Sequence, residues 1–600
     1  MPLKAYPIRA GVVRDMTRYA DQGGWYLAQW IRFRMGLPEV IGGWRKMVAT
    51  TFAGICRDLH AWAGLDNQQL VSLGTSEKMY VFSEQDNRYH DITPIRSTVT
   101  VTNPFLTKPG TVTATVTAHG AQVGDWVLVS NSAAVGGLVL NGEWQVKAVP
   151  DANTFVLDVT GDENATVASG GGSVTFQFRY GSGRVNDVAG AGWGMAPWGQ
   201  GGWGQPAFAT GTQGIRLWSA DNYGEDLVYC PMDGPIYYWD KSGGYVPGVT
   251  LDQLPGASDT PTVAHQVLVT PDRHVFALGA NAIGSATQDP LLVRWCDQDV
   301  GPAYWTPDTT HDSGSLRLGV GSRIVGGLRT RAEVLVCTER SLHSFVYTGP
   351  PYTYTHVMVS DNISVLGMNA MVDVGNSVLI MGSNQFYAYA GSAVTPLPCP
   401  LRDYVYGRLN QTQARKCFGA INRKFAEAWF FYPAGNEIDS YVLVNLVDAS
   451  WSYGSLTRTA WLDPFFDEGP LATGADQYLY CHEEGETADG QPLNAFVESA
   501  DVDLDGGDHF LFVTRMLPDV MWRGPEQEQK VVFTVRFRNG PSQAFSTTQT
   551  LSCLRENTDS TMLYLRGRGR QAVIRAESNQ LGTSWRLGLL RFDVRPDGRR

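Results

Sequence analysis

LVSLGTSEKMYVF, residues 70–82, decides how this chain is read. It is an apolar run, a polar turn bearing Gly and Ser, then an aromatic-rich run, which is how a hairpin with a buried face is written. The phrase returns as DLVYCPMDGPIYYW from Asp226, VLVCTERSLHSFVY from Val334, VLIMGSNQFYAYAG from Val378 and LATGADQYLYC from Leu471. Two fainter copies, HVFALGA from His274 and AWFFYPAGNEIDSYVLVN from Ala428, fill the gaps. From 226 onward the anchors lie 48, 60, 44, 50 and 43 residues apart. A recurrence of about 45 residues with all-β content predicts four-stranded blades of a β-propeller, about seven of them.

The step from 70 to 226 is too long for one blade, and an insert accounts for it. Residues 98–178 alternate Val and Thr, then run through HGAQVGDWVLVS, LNGEWQVKAV and NTFVLDV, with turns at His119-Gly120, Gly124-Asp125 and Asn141-Gly142. These short strands predict a small closed barrel projecting from the body. At the other end, FVTRMLPDVMW, KVVFTVRFRNG, TMLYLRGRGR, QAVIRAESN and WRLGLLRFDVRP alternate at strand period and predict an antiparallel, sandwich-like unit. The expected organisation is therefore 1–97, an N-terminal segment with the first blade; 98–178, the inserted β-barrel; 179–499, the propeller body; and 500–600, the sandwich-like domain.

Charge is unevenly placed. Residues 1–60 carry +5 and 561–600 carry +6, so 61–560 carry −23 of a net −12. So acidic a body is poorly suited to gripping nucleic acid, whose phosphates need Lys and Arg. The basic ends have two readings: docking on acidic partners, or arginines paired inside a folded terminus. At strand period Arg566, Arg568, Arg570, Arg591 and Arg595 should share one face, a candidate interface. Trp193, Trp198 and Trp203 recur in the Gly-rich stretch GAGWGMAPWGQGGWGQP, residues 190–206. Indoles there suit a membrane-touching loop, but with no basic residue from 185 to 215 the favoured reading is packing between elements or subunits.

Catalytic signatures do not emerge. The sequence has no GxSxG, HExxH, phosphate-binding loop or dinucleotide fingerprint, and no sialidase-type Ser-x-Asp-x-Gly-x-Thr-Trp turn, so neither enzyme chemistry nor a cofactor is expected. The eight cysteines are scattered without metal-ligand spacing and read as buried thiols. DVDLDGGD, residues 501–508, opens like a calcium loop, but the twelfth position is Phe512 rather than a carboxylate, so a strand edge running into a Gly-Gly turn is preferred. There is no apolar run of eighteen residues, and MPLKAYPIRAGVVRD does not read as a secretory leader.

Several motifs together resemble a known family. They are Gly23-Gly24-Trp25, Arg32-Phe33-Arg34, Gly42-Gly43-Trp44, the Leu73-Gly74-Thr75 turn, Asp91-Ile92-Thr93-Pro94, RWCDQDVGPAYWTP from Arg294, and the C-terminal RGRGRQAVIRAESNQLGTSWRLGLLRFDVRPDGRR. The chain is similar to the tail-nozzle proteins of short-tailed bacteriophages, the packaged-DNA stabilisation or tail-hub group. The insert separately resembles a small β module of phage structural proteins, named after a half-domain of ubiquitin-activating enzyme. It holds no cysteine, so that name implies no ubiquitin chemistry.

The resemblance implies a structural virion protein of the tail, assembled in the host cytoplasm. It would form a homohexameric ring beneath the portal and adaptor, neighbouring tail fibre or tail-spike proteins. Such a ring would extend the DNA channel, retain the packaged genome and permit its ejection, with phage DNA passing through and no sequence-specific binding. The acidic charge would then line the channel, or else coat the outside for solubility. The alternative is a receptor- or glycan-binding phage tail protein, which would be expected to trimerise.

Overall fold

A computed structural model describes residues 3–159, 166–188, 214–350, 352–463, 469–503, 509–524, 528–556 and 562–598. The fold is all-β and propeller-like. Among the described residues the one α-helix is the short Arg402–Arg408. Seven sheets of the blade type follow one another along the chain, each built on four antiparallel strands. Blade 1 is Cys56–Ala63, Gln69–Thr75, Met79–Ser83 and Arg88–Asp91. Blades 2 to 6 span residues 218–250, 266–317, 324–360, 371–397 and 418–455. Blade 7 takes Ala460–Leu462, Leu471–Thr473 and Leu479–His482, and its fourth strand is Trp44–Lys46 from the N-terminal region. Six of the seven hairpin phrases occupy second and third blade strands, and the faint HVFALGA, residues 274–280, holds the second strand of blade 3 alone.

Burial explains why those phrases are continuous rather than alternating. Val334–Thr338, Glu427–Tyr432 and Ser440–Asn445 are buried at every position. A strand covered on both faces needs apolar residues on both, so the period-2 pattern disappears.

The chain divides into two compact units. One holds blades 1 to 3, most of blade 4 and the insert (51–339 and 343–357). There the first strands of successive blades are stitched side chain to backbone. Ser219 Oγ accepts from Val267 N at 2.9 Å, Asp221 Oδ2 accepts from Val269 N at 2.8 Å, and Gln266 exchanges two hydrogen bonds with Gly327.

The insert forms its own eight-stranded path from Ile95–Thr102 to Val167–Gly170, outside every blade. Its separate core includes Phe105, Val127, Phe155, Phe176 and Phe178. The expected closed barrel is corrected to an open one: among the described residues no ladder joins the two end strands. Gly142–Asp151, bulged after Val146 and again after Ala148, pairs Trp126–Ser130 with its first half and Thr154–Leu157 with its second, folding the path over its core.

The other unit holds residues 1–50, 340–342 and 358–600. Its C-terminal part is antiparallel and sandwich-like, but the strands are not all C-terminal. Lys4–Tyr6 pairs with Leu590–Pro596, Trp25–Gln29 with Ala495–Ser499, and the hairpin Ile31–Arg34/Leu37–Val40 with Ser584–Leu587. Residues 1–97 are therefore not one segment leading into the first blade; strands from 4 to 46 complete the C-terminal sheets and blade 7. Ala495–Ser499 also pairs with Gln571–Ser578, which moves the expected start at 500 earlier.

Arg32 ties this unit together. It is 1% exposed, its Nε lies 3.1 Å from Glu427 Oε1, and it donates to Glu483. Asn422 and the backbone N–H of Gly42 also donate to Glu483, and Trp429 Nε1 donates to Glu427 at 3.1 Å. Opposite Arg32 in the hairpin, Glu39 is fully buried between Arg523 and Arg586. A Cβ on Gly42 would come within 2.6 Å of Glu483 Cα, so the Gly-Gly pair is needed for close approach. Burial pushes the Glu427 carboxyl up to about 7 against the pull of Arg32.

Candidate interaction surface

Four of the five arginines singled out from the sequence, Arg566, Arg568, Arg591 and Arg595, fall on one sheet, ordered Lys4–Tyr6, Leu590–Pro596, Leu511–Leu517, Leu563–Gly569; the fifth, Arg570, lies just past the strand end, in the bend before Gln571–Ser578 of the facing sheet. Its inner face carries buried Leu511, Val513, Met516, Leu565, Leu590 and Phe592. The segment RGRGR, 566–570, shows how one strand serves two faces. Arginines point outward, while a Cβ on Gly567 would collide with the ring of Phe537 in the facing sheet. Glycine is required there for contact between the sheets.

Register places the outer face row by row. Phe512 lies between Arg568 and Arg595, Arg515 between Tyr564 and Asp593, and Leu517 opposite Arg591. Arg566 and Arg591 are exposed, and the Arg595 side chain is 57% exposed. Arg568 pairs with Asp597, and both Arg568 and Arg570 stack on Phe510, at 4.0 and 4.9 Å from the ring centroid. Asp593 is buried beneath the face. It accepts from Arg515 Nε at 2.9 Å and Thr514 Oγ1 at 3.0 Å, with Arg595 Nη2 at 3.9 Å. The bond from Arg515 holds its carboxyl below the usual range.

A groove of about 850 Å³ runs across this face, lined by Thr514, Arg515, Gln549, Tyr564, Arg566 and Arg595. The arrangement presents hydrogen-bonding cations beside an exposed phenol, which suits carboxylate or phosphate oxygens. Arg515, a fifth arginine of the face, is not among those the sequence singles out. The strand FVTRML carries a bulge between Val513 and Arg515 that shifts the alternation by one, so period-2 counting misplaces it.

Pairing inside the fold accounts for most arginines of both basic ends, Arg575 with Glu577 at 2.6 Å and Arg586 with Glu39 among those of the C-terminal end. Toward the N-terminus arginines are paired: Arg9 with Asp21 at 2.7 Å, Arg18 with Glu498, and Arg45 with Glu484 at 2.6 Å. Arg566 and Arg591 of the C-terminal face make no ion pair among the described residues. Trp193, Trp198 and Trp203 lie outside the described residues. Asp501 of the acidic run is buried against Arg538, and Asp503 accepts from Tyr19 at 3.0 Å and Gln571 at 2.9 Å. Residues 504–508 lie outside the description. Cys230, Cys296 and Cys417 are buried, and burial raises their thiols.

No family model matches the chain, and no curated protein matches it. Similar solved structures include Hsv2 of Kluyveromyces lactis, at 9% identity over 44% of this chain and 72% of that one, TM-score 0.27. The extracellular domain of a putative hybrid two-component system from B. thetaiotaomicron matches at 9% over 85% and 80%, TM-score 0.29. The endosialidase of phage phi92 matches at 12% over 71% and 63%, TM-score 0.19. Likenesses this distant carry no argument about activity.

Proposed function

We propose that the chain is a non-catalytic structural protein of a short-tailed phage virion, forming the tail nozzle beneath the portal and adaptor. It extends the DNA channel, retains the packaged genome and permits ejection. One observation supports this reading above others: the residues that carry the nozzle resemblance are architectural. Arg32 sits buried between carboxylates of blade 6 and of the segment after blade 7. Gly42 lies against Glu483, and a Cβ on Gly43 would meet Thr487 N at 2.6 Å. The C-terminal RGRGR builds one face of the sandwich. Motifs of this kind specify a rigid scaffold, as a conduit needs. The test is to purify virions carrying a tagged copy and locate the tag by negative-stain imaging. Density at the end of the tail axis below the portal is expected. Density on peripheral spikes or fibres would overturn the proposal in favour of a receptor-binding role.

A further inference from the structure

The outer face of the C-terminal sheet gathers five guanidinium groups, Arg515, Arg566, Arg568, Arg591 and Arg595, around two carboxylates, Asp593 and Asp597. Asp593 is already engaged by Arg515 from below the surface, and Arg568 engages Asp597. That leaves a cationic face with two arginines unpaired among the described residues. The groove beside it supplies further polar groups in Thr514 and Gln549 and an amphipathic contact in Tyr564, 69% exposed. A planar guanidinium presents a fork of donors that fits a carboxylate side-on. The chain itself is the obvious source of carboxylates, since residues 61–560 carry −23.

Blade 3 concentrates some of that charge. Buried Asp297 accepts from the backbone N–H groups of Asp299 at 3.1 Å, Val300 at 2.8 Å and Asp312 at 2.8 Å, which holds Asp299 and Asp312 beside it; Asp299 is exposed and Asp312 half-buried. Two cations beside this group are already engaged. Arg273 is engaged over the Tyr223 ring, and His311 bonds Asp308. Crowded like charges of this kind are stabilised by a cationic neighbour. A contact between two different patches is head-to-tail, the type that closes into rings when its rotation permits.

We propose that the arginine face is the docking site for a second copy of this chain, and that the blade 3 carboxylates of that copy are what it grips. The inference rests on the ring reading above only in requiring that copies meet. Phosphate is the competing ligand chemistry; the second copy is favoured because every copy carries both the basic face and an acidic surface of opposite sign to it.

The experiment compares the full chain with R566E/R591E/R595E, all three at exposed positions, and with the same variant carrying D299K/D312K. Assembly is read by light scattering over a concentration series at about 0.1 M and about 0.5 M salt. Thermal melting confirms that each variant folds. The wild type should assemble and weaken in high salt. The triple reversal should raise the concentration for half-assembly about tenfold or more, since like charges then face one another, and the charge swap should restore it. Unchanged assembly of the triple variant overturns the inference while leaving the ring standing. A swap that fails to restore assembly overturns the pairing with blade 3. A wild type that stays monomeric at every concentration overturns both inference and ring. Binding of a duplex oligonucleotide by the wild type, lost in the triple variant, would make the face a phosphate site and likewise overturn the inference.

Discussion

Arg32 shows how far a single residue reaches in this fold. Its guanidinium is out of water, so its two carboxylate partners are stabilising only while it remains. Replacing it with Met leaves Glu427 and Glu483 facing each other without a cation, and should cost about 3–5 kcal/mol in chemical denaturation. Glu427 gives a pH signature of its own. The unfolded chain releases this proton near the ordinary 4.5, and the folded chain holds it up to about 7. Between those values the folded state binds the extra proton, so this group's stabilising contribution is full below 4.5 and is lost as pH rises through about 7. Glu427→Gln should therefore flatten the fall in unfolding midpoint between about pH 5 and about pH 8 relative to wild type. An identical slope in both proteins would contradict this. Arg32-Phe33-Arg34 stands out in the sequence as a motif, but its partners lie some four hundred residues away, and no local pattern names them.

Elements were legible where burial imposes a pattern and illegible where pairing alone decides. Blades announce themselves because both-face burial writes a continuous apolar run followed by an aromatic one. Lys4–Tyr6 and Trp44–Lys46 carry no such mark, because a strand added to a sheet edge makes backbone bonds that any residue can make. The insert was legible by its Val/Thr alternation, and its register shows how it can be removed. Ile95 pairs with Arg179, and Tyr180 N donates to Pro94 O at 2.8 Å, so the chain leaves and returns at one place. Deleting 98–178 across a two-residue turn should leave a folded body by circular dichroism and a cooperative melt; a molten product would contradict the separate core. Within the intact chain the insert is clamped by Glu143, which accepts from both Lys78 and Arg179. Glu143→Gln should lower stability by about 1–3 kcal/mol. In the sandwich, Gly567→Ala should cost about 1–3 kcal/mol through overpacking against Phe537. An unchanged melting temperature would show that the two sheets are not held at contact distance.

At the scale of the whole molecule, the charge distribution and the copy number carry the functional reading. A conduit for a polyanion works best with a wall that repels it evenly, and the acidic body has charge to supply. On the nozzle proposal, substituting Lys for several Asp and Glu residues of the channel wall should slow genome release in vitro at low salt, with the effect fading at high salt as phosphate contacts are screened. Unchanged release at low salt would count against a repulsive lining. None of this charge logic could be placed from composition alone, because net charge says nothing about which surface bears it. Copy number is the more direct question, since a nozzle must close around an axis and an adhesin of the alternative kind would trimerise. Native mass spectrometry of the assembled, purified protein counts the chains: six per particle is the expected result, and a stable trimer or a persistent monomer would contradict the nozzle.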